Sequence, residues 1–199
     1  MAKLVDFYFT PVSPWTYLGM PRFRAMTAKH GAAVNYKPVD MVPLFASANV
    51  KPLKDRPEPI KRNRLTELKR WRDHLGMKLN LTPKFFPTSA MLASRMIIAA
   101  RRGGHDAGAL AEAFLRACWA EERDIGDEAT AIAIARECGL DGPALRKAAD
   151  QPDAQAELDM NTKEALGRFV WGSPSYYLDG ELFFGQDRLT FLEQKLAAG

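Results

Sequence analysis

The chemistry suggested by this sequence begins at Ser13, which lies between a strand-like segment and a helix-like one. The N–H groups at the start of a helix are free and favour negative charge, so a hydroxyl placed there could donate a hydrogen bond to a bound thiolate. Residues 13–16, Ser-Pro-Trp-Thr, contain no cysteine. Because disulfide exchange needs thiols that form and resolve a mixed disulfide, this position cannot perform it. The alternative for Ser13 taken alone is a plain helix N-cap.

A second candidate is the pair Ser173 and Pro174, directly before a short strand-like segment. A cis peptide bond at Pro174 would turn the chain so that Ser173 exposes its backbone polar groups. The alternative is an ordinary trans proline at the entrance of a strand.

A third candidate follows the last predicted strand, at residues 185–188, Gly-Gln-Asp-Arg. Free amides at this helix start could hold a carboxylate, and Asp187 could pair with an ammonium group. A ligand that carries both groups on one carbon is the end of an α-amino acid. The alternative is an N-cap aspartate beside a surface arginine, Arg188. Because ligands of α/β folds bind where strands end and helices begin, we expect the three candidates to form one site.

The segments that must position these residues follow the order of an α/β protein. Residues 3–9 and 33–39 have the composition of strands, and residues 15–29 between them carry apolar residues at helical spacing. This opening predicts two parallel strands joined by a right-handed crossover. Alanine and leucine content and glycine stop signals predict further helices at 65–75, 91–102, 107–122, 127–138, 142–149 and about 152–167.

The remaining segments are a predicted loop, two predicted strands and a final predicted helix. Residues 41–59 hold four prolines and little periodicity, which predicts a loop. Residues 174–178 and 181–184 are predicted strands separated by Asp179 and Gly180, a strong hairpin signal. A final amphipathic helix then opens and ends near Leu196.

Without the middle helices, this order of elements is that of a thioredoxin fold. We therefore predict an α/β, thioredoxin-like fold with a large all-helical insertion. Residues 1–42 and 150–199 are predicted to form the thioredoxin-like domain, and residues 43–149 the inserted helical domain. Cys118 and Cys138 lie in helix-like segments without further ligands at close spacing, so we predict buried free thiols and no metal site.

Composition excludes several classes of protein. The chain has 199 residues, of which 47% are apolar and 26% charged, so it can bury a core and is not disordered. Its net charge is only +4, and residues 51–73 account for it with nine basic and four acidic side chains, which argues against nucleic-acid binding. That basic segment either steers an anionic substrate or is a solvated helix face. The absence of a signal peptide and of a long apolar run predicts a cytoplasmic protein that does not insert into membranes.

Three stretches of the chain together resemble the 2-hydroxychromene-2-carboxylate isomerase family. They are residues 6–19 (DFYFTPVSPWTYLG), 169–174 (FVWGSP) and 180–189 (GELFFGQDRL). Further landmarks of that family lie at residues 86–87, 116–119 and 124–125. The family is related to the kappa-class glutathione transferases and to the DsbA-like branch of thioredoxin folds. The resemblance therefore implies the DsbA/kappa-class arrangement of the fold.

The resemblance also implies a glutathione-dependent enzyme and names its site. Ser13 would be the catalytic residue that hydrogen-bonds the glutathione sulfur and favours its thiolate. Ser173, preceding a cis Pro174, would bind the cysteinyl backbone as an added strand does. Asn49 would lie in a loop near the ligand. The γ-glutamyl end would be held by three neighbouring residues, Gln186, Asp187 and Arg188.

In the implied reaction the thiolate adds reversibly to an electrophilic alkene, rotation follows about the resulting single bond, and the thiolate leaves. Glutathione is then an unconsumed cofactor of an isomerase. The expected substrate is a small anionic aromatic molecule, and the resemblance suggests a homodimer. The alternatives are a kappa-like glutathione transferase, a DsbA-type disulfide oxidoreductase, and a thiol- or peptide-binding module.

Three positions depart from the family pattern. Members that act on the naphthalene-pathway substrate carry a lysine in the loop after the second strand, where residues 40–45 have none. Thr88 stands where an asparagine is expected, and Trp171 stands where the family has phenylalanine. The glutathione chemistry survives these changes, whereas the identity of the aromatic substrate does not follow from the resemblance.

Overall fold

The computed structural model describes residues 3–198, and a single mixed sheet lies at its centre. The strands are β1 (Leu4–Phe9), β2 (Ala33–Pro38), β3 (Ser175–Leu178) and β4 (Glu181–Phe184). Their order in the sheet is β2-β1-β3-β4. The β1–β2 pair is parallel, as predicted, and the β1–β3 and β3–β4 pairs are antiparallel.

The inner strand β1 is covered on both faces, which explains its run of aromatic residues. Phe7 and Phe9 point to one face and their rings stack with centroids 4.6 Å apart. Tyr8 points to the other face and packs in a separate cluster with Val39 and Leu44. Since successive side chains of a strand alternate between faces, helices must cover the sheet on both sides.

Nine α-helices pack around this sheet within residues 3–198. They are α1 (Pro14–Lys29), α2 (Met41–Ser47), α3 (Glu58–Leu75), α4 (Met91–Arg102), α5 (Ala107–Ala120), α6 (Glu128–Glu137), α7 (Gly142–Ala149), α8 (Pro152–Gly167) and α9 (Leu189–Ala197). Two short 3₁₀ turns lie at Leu53–Asp55 and Gln186–Arg188. In the same part of the chain, no helix combines the length and the apolarity needed to cross a membrane.

Local sequence signals set most of these boundaries. Asp127 caps α6 by accepting a hydrogen bond from the Thr130 N–H at 2.8 Å. Asp179 and Gly180 have φ of 49° and 82°, the left-handed geometry of a two-residue hairpin turn between β3 and β4. These elements therefore form where the sequence predicted them.

The prediction of a loop over residues 41–59 was only partly right. Helix α2 and the first two residues of α3 lie in this segment, while residues 48–57 are irregular apart from the 3₁₀ turn at Leu53–Asp55. Asp40 caps α2 by accepting a hydrogen bond from the Val42 N–H at 2.9 Å. Pro43 and Pro59 both lie in the first turn of their helix, where a missing N–H costs no hydrogen bond. The prolines therefore mark helix starts here, rather than a break in regular structure.

The helices α3 to α7 are inserted between the two halves of a thioredoxin fold. The elements β1, α1, β2 before them and α8, β3, β4, α9 after them have the order expected of that fold. The predicted fold class is thus confirmed, while the domain boundaries at 43 and 149 stay a prediction. The core is continuous, since Phe9 of β1, Phe23 of α1 and Phe114 of α5 belong to one buried cluster.

Candidate functional site

Ser13 is the N-cap of α1 and is buried. Its Oγ accepts a hydrogen bond from the Thr16 N–H at 3.2 Å, which is the capping interaction. The same Oγ donates its own proton to the backbone carbonyl of Ser173 at 3.1 Å. Pro14 has no N–H, and the Trp15 N–H has no hydrogen-bond partner in the described part of the chain. Ser13 is therefore an N-cap that faces Ser173, and its catalytic role stays a prediction.

Ser173 is held in place by the two ends of the first strand-to-helix junction. Its Oγ accepts a hydrogen bond from the Thr10 N–H at 3.0 Å and shares another with the Thr16 hydroxyl at 2.8 Å. The peptide bond from Ser173 to Pro174 is cis, as the motif predicted. Within residues 3–198 the Ser173 N–H donates to no protein acceptor. The structure thus brings Ser13 and Ser173 together and leaves one backbone donor of Ser173 available to a ligand.

An aromatic cavity of about 290 Å³ opens beside this pair. Ser13, Ser173 and Thr10 line it on the polar side. Its apolar walls are Val12, Trp15, Met41, Phe45, Phe86, Trp171 and Phe184. No acidic residue, histidine or cysteine of residues 3–198 lines it. The cavity therefore suits a flat apolar molecule next to a hydroxyl and a helix start, and it provides no base or nucleophile stronger than a serine.

A polar cavity of about 270 Å³ adjoins the aromatic one, and the two share Trp15, Ser173 and Phe184. The polar cavity is otherwise lined by Glu67, Trp71, Gly185, Gln186 and Asp187. A ligand lying across Ser173 would reach both cavities at once. The second and third sequence candidates therefore meet at a single site, as expected from their positions at strand ends.

Gln186 is buried at the floor of the polar cavity. Its side-chain oxygen accepts a hydrogen bond from the Arg22 guanidinium, and its backbone carbonyl accepts another at 3.3 Å. Arg22 in turn lies 5.5 Å from the centre of the Trp71 ring, a cation–π distance. Arg22 therefore holds both a wall and the floor of this cavity in place, although no pattern in the sequence pointed to it.

Two other predicted residues lie at the edge of the site. Arg188 is outside the lining of both cavities and donates to the Asp187 carboxylate at 2.7 Å. Asn49 is exposed, with φ of 53°, and follows Ala48, the C-cap of α2. Its neighbour Val50 lines the aromatic cavity. The ligand contacts predicted for Arg188 and Asn49 stay predictions.

Two arginines that the sequence did not single out as site residues line the aromatic cavity, Arg56 and Arg64. Neither forms a salt bridge within residues 3–198. Burial, followed by the charge of Arg56, lowers the pKa of Arg64 to about 10. Arg64 was recognised only as one of several cations in a basic segment, because its helix position alone does not show which of them faces inward.

The chain's own thiols are not placed to react at this site. Cys118 is buried and free, and burial, followed by the charge of Asp124, raises its pKa to about 12. Cys138 is free and half-buried, so the prediction of buried thiols holds fully only for Cys118. Neither cysteine lines either cavity. A thiolate at this site would have to come from a ligand.

The inserted segment also contributes side chains to the site or to its support. Trp119 of α5 donates from its indole N–H to the carbonyl of Val12 at 3.2 Å, which anchors the turn that leads to Ser13. The Phe86 ring packs on Trp119 with centroids 4.7 Å apart. Trp171, one of the departures from the family pattern, packs on Phe184 at 4.0 Å and lines the cavity. The substitution therefore retains an aromatic wall.

Comparison with known proteins gives consistent results along the whole chain. The model of the DSBA-like thioredoxin domain matches residues 4–197. A 2-hydroxychromene-2-carboxylate isomerase of Sphingobium xenophagum is 30% identical over 201 residues, covering 98% of this chain and 99% of the relative. One of Pseudomonas putida is 29% identical, covering 97% and 94%. A solved structure of a 2-hydroxychromene-2-carboxylate isomerase is 28% identical, with a TM-score of 0.80 over 98% of this chain and 94% of the other.

Proposed function

The chain belongs to the DSBA-like thioredoxin domain family and, within it, groups with the 2-hydroxychromene-2-carboxylate isomerases, and from this premise we propose that it is a glutathione-dependent isomerase of small aromatic electrophiles. Its relatives support enzymatic activity as an isomerase. The dependence on glutathione is our proposal. One observation carries it: a serine hydroxyl caps the helix where a thioredoxin fold places its reactive cysteine, and no thiol of the described chain lines the cavity beside it.

The residues present fit a tripeptide thiol. Ser173 offers a free backbone N–H beside a cis proline, which suits the cysteinyl backbone of an extended peptide. The polar cavity next to it, with Gln186 and Asp187, suits a γ-glutamyl group, whose ammonium would pair with the Asp187 carboxylate. Arg188 and Asn49 would contribute from the edge of the site. The sulfur would then lie near Ser13, which lines the aromatic cavity beside the shared Ser173.

Glutathione, when bound, supplies the thiolate that adds reversibly to an electrophilic alkene and leaves after rotation about the single bond. Ser13 stabilises that thiolate by turning its proton from the Ser173 carbonyl to the sulfur. The free Trp15 N–H and the start of α1 add a favourable field for negative charge. Hydrogen bonds to the charged form lower a thiol pKa, so the site raises the thiolate fraction at neutral pH.

Five aromatic side chains form walls of the aromatic cavity, which favours a planar substrate. Within residues 3–198 no acidic side chain lines that cavity, which favours an anionic substrate. A homodimer and a cytoplasmic location are further proposals, taken from the family resemblance.

The test is to titrate glutathione by calorimetry and to follow the ultraviolet absorbance of the bound thiolate against pH. We expect Ser13→Ala to raise the pKa of bound glutathione by about one to two units, since a hydrogen bond to a charged group contributes about 1.5–3 kcal/mol. Ser47→Ala is the matched control, because the Ser47 hydroxyl donates only to the Leu44 carbonyl at 2.8 Å, outside both cavities. No heat of binding at millimolar glutathione would refute the proposal.

The same experiment separates the alternatives. A kappa-like transferase would consume glutathione in proportion to product, whereas an isomerase leaves its amount unchanged. A binding module would hold glutathione without lowering its thiol pKa. A DsbA-type oxidoreductase would reduce insulin in the presence of a thiol, which the absence of a cysteine near Ser13 argues against.

A further inference from the structure

We infer that the protein has a second ligand site, separate from the proposed glutathione site, which binds an alkyl carboxylate of the fatty-acid class. The site is an outer cavity of about 510 Å³, lined by side chains from the segments 52–54, 61–65 and 81–87. It shares Leu53, Arg64 and Phe86 with the aromatic cavity, whereas neither Ser13 nor Ser173 lines it. A ligand could therefore occupy the outer cavity whether or not glutathione is bound.

The apolar lining of the outer cavity is aliphatic apart from one ring, that of Phe86. It is otherwise made of leucines and prolines, namely Leu53, Leu65, Leu81, Pro52, Pro83 and Pro87. The aromatic cavity, in contrast, has five aromatic side chains in its walls. Aromatic walls favour a flat ring that stacks on them, whereas an aliphatic lining buries an apolar chain without offering a stacking partner. The apolar part of the ligand is therefore an alkyl chain.

The polar lining of the outer cavity is positively charged. Lys54, Lys61 and Arg64 line it together with Thr82, and no acidic side chain of residues 3–198 does so. Asp55 follows Lys54 directly in the chain but lies outside the lining. The charge of the cavity is therefore complementary to an anion.

The lysines and arginines of α3 fall into two groups. One group pairs with carboxylates of the same helix: Arg62 with Glu58, Arg70 with Glu67, and Lys69 and Arg72 with Asp73. The other group, Lys61 and Arg64, is half-buried and forms no salt bridge within the described part of the chain. Since positions three and four apart share a helix face, Lys61, Arg64 and Leu65 lie together on the face toward the outer cavity. The unpaired cations of this helix are therefore the ones that line the cavity.

Half-buried cations without a counterion cost free energy, so a protein that keeps two of them beside a cavity commonly uses them toward a ligand. Two rings hold Arg64 in place, because its guanidinium lies 5.7 Å from the centre of Phe86 and 5.9 Å from that of Trp119. One carboxylate placed between Lys61 and Arg64 would pair with both side chains. The exposed Lys54 would add a third charge, and the alkyl chain would lie on the leucines and prolines.

The first experiment measures the affinity of monomeric octanoate, of hexanoate and of the neutral analogue octanamide by calorimetry at physiological salt. We expect octanoate to bind at least about fivefold more tightly than hexanoate, since each buried methylene favours binding. We expect octanamide to bind at least about fivefold more weakly than octanoate, because it lacks the charge that pairs with Lys61 and Arg64.

Two variants then change residues that line the outer cavity alone, Lys61→Met and Leu65→Ala. Lys61→Met should weaken octanoate about fivefold and leave octanamide within about twofold of wild type. Leu65→Ala should weaken both ligands about threefold, since it removes part of the surface under the chain. The matched controls are Lys51→Met and Ile60→Ala, at exposed positions that line none of the three cavities, and they should leave both affinities unchanged.

Several results would overturn the inference. Equal affinity of wild type for octanoate and octanamide would exclude a carboxylate site, and equal affinity for octanoate and hexanoate would exclude a seat for the chain. A loss for Arg56→Met without a loss for Lys61→Met would place the anion in the aromatic cavity, because Arg56 lines only that one. Sedimentation of the protein with vesicles of anionic phospholipid, without binding of octanoate, would identify a membrane surface instead.

The glutathione affinity of each variant separates this site from the proposed function. We expect Lys61→Met and Leu65→Ala to bind glutathione as wild type does, because neither residue lines the aromatic or the polar cavity. Octanoate binding in a protein that fails to bind glutathione would refute only the proposed cofactor, and the reverse result would refute only the outer site. If Lys61→Met fails to fold, Lys54→Met tests the same charge, and it should weaken octanoate about twofold because Lys54 is exposed.

Discussion

Ser13 Oγ has one proton and, without a ligand, donates it to the carbonyl of Ser173 at 3.1 Å. A sulfur bound nearby would have to compete with that carbonyl. A charged sulfur is the better acceptor of the two, since hydrogen bonds to ionised acceptors are stronger than those to neutral ones. Ser173 must keep its place while the proton moves, and its side chain is fixed by Thr10 and Thr16. In the proposed reaction Ser13 would therefore act on the thiol, and Thr16 would position the residue that binds the peptide.

This division of roles predicts the behaviour of Thr16→Val. The change removes the 2.8 Å hydrogen bond to Ser173 and preserves the shape of the side chain. We expect glutathione affinity to fall about fivefold, the effect of about 1 kcal/mol, with no change in the pKa of the bound thiol. Calorimetry and the pH dependence of thiolate absorbance measure the two quantities.

Thr27→Val is the matched control for that variant. Thr27 is buried on the same helix and its hydroxyl donates only within α1, to the Phe23 carbonyl at 3.0 Å and the Arg24 carbonyl at 3.1 Å. It should change stability and leave glutathione affinity intact. A shifted thiol pKa in Thr16→Val would contradict a purely positioning role.

The polar cavity depends on how closely α1 approaches the 3₁₀ turn before α9. Gly19 makes that approach possible, since a Cβ at this position would lie 2.8 Å from the Cβ of Gln186 and 3.2 Å from the Tyr176 hydroxyl. The Gln186 Cβ is attached directly to the backbone of the turn, so it cannot move without shifting the turn itself. Helix-to-turn packing at Gly19 thus sets the position of the cavity floor.

We therefore expect Gly19→Ala to displace the turn and to weaken glutathione binding. Overpacking of this kind costs about 1–3 kcal/mol of unfolding free energy. Urea unfolding and calorimetry of the same protein measure both effects. In Gly167→Ala at the end of α8, where no atom lies within 4 Å of the added Cβ, we expect neither effect. Full glutathione affinity in Gly19→Ala would show that the turn does not hold the γ-glutamyl end.

The sheet is joined to α8 by a cluster of charges on the face that carries Tyr8. Lys37 of β2 lies 3.2 Å from the Asp6 carboxylate and 2.7 Å from that of Glu164. Arg168, directly after α8, reaches the same two carboxylates at 2.5 Å and 2.9 Å. The cluster connects residues before and after the inserted helices, so it holds the two halves of the thioredoxin fold together.

Because of this cluster, we expect the free energy of unfolding to fall at acid pH. Burial raises the pKa of Asp6, but the hydrogen bonds from Arg168 and Asn35 and the charge of Lys37 outweigh it, so the net pKa is lowered. The pKa of Glu164 is lowered in the same way, with Lys37 and Tyr8 as the main donors. A lowered folded-state pKa contributes stability above the unfolded value and loses it as the pH falls through the folded one.

We expect Asp6→Asn to lose about 2 kcal/mol of unfolding free energy at pH about 7, and the difference from wild type to shrink as the pH falls below about 4. Urea unfolding at a series of pH values measures it. Asp153→Asn is the control, because its exposed pair with Arg102 should contribute less than about 0.5 kcal/mol. A difference between Asp6→Asn and wild type that is independent of pH would contradict this account.

The sequence by itself determined the features that depend on a few neighbouring residues. Caps, glycine stops and the Asp179-Gly180 turn defined most elements, and the order of the elements defined the fold class. Ser13 and Ser173 could be identified because each lies at the end of an element, and the resemblance assigned them to one site. Helix α2 within residues 41–59 was missed because a proline can either break a helix or begin one, and the neighbouring cap residue decides between the two.

Only the tertiary structure decided which polar groups meet. Thr16 and Ser173 are 157 positions apart, and their hydrogen bond depends on the packing of α1 against the strand entrance. Arg64 is one of nine cations in residues 51–73, and only the folded chain places its guanidinium in the cavity, over the rings of Phe86 and Trp119. The physical reason is range: capping and turn preferences act over a few residues, whereas burial and the absence of a counterion are properties of the whole packed chain.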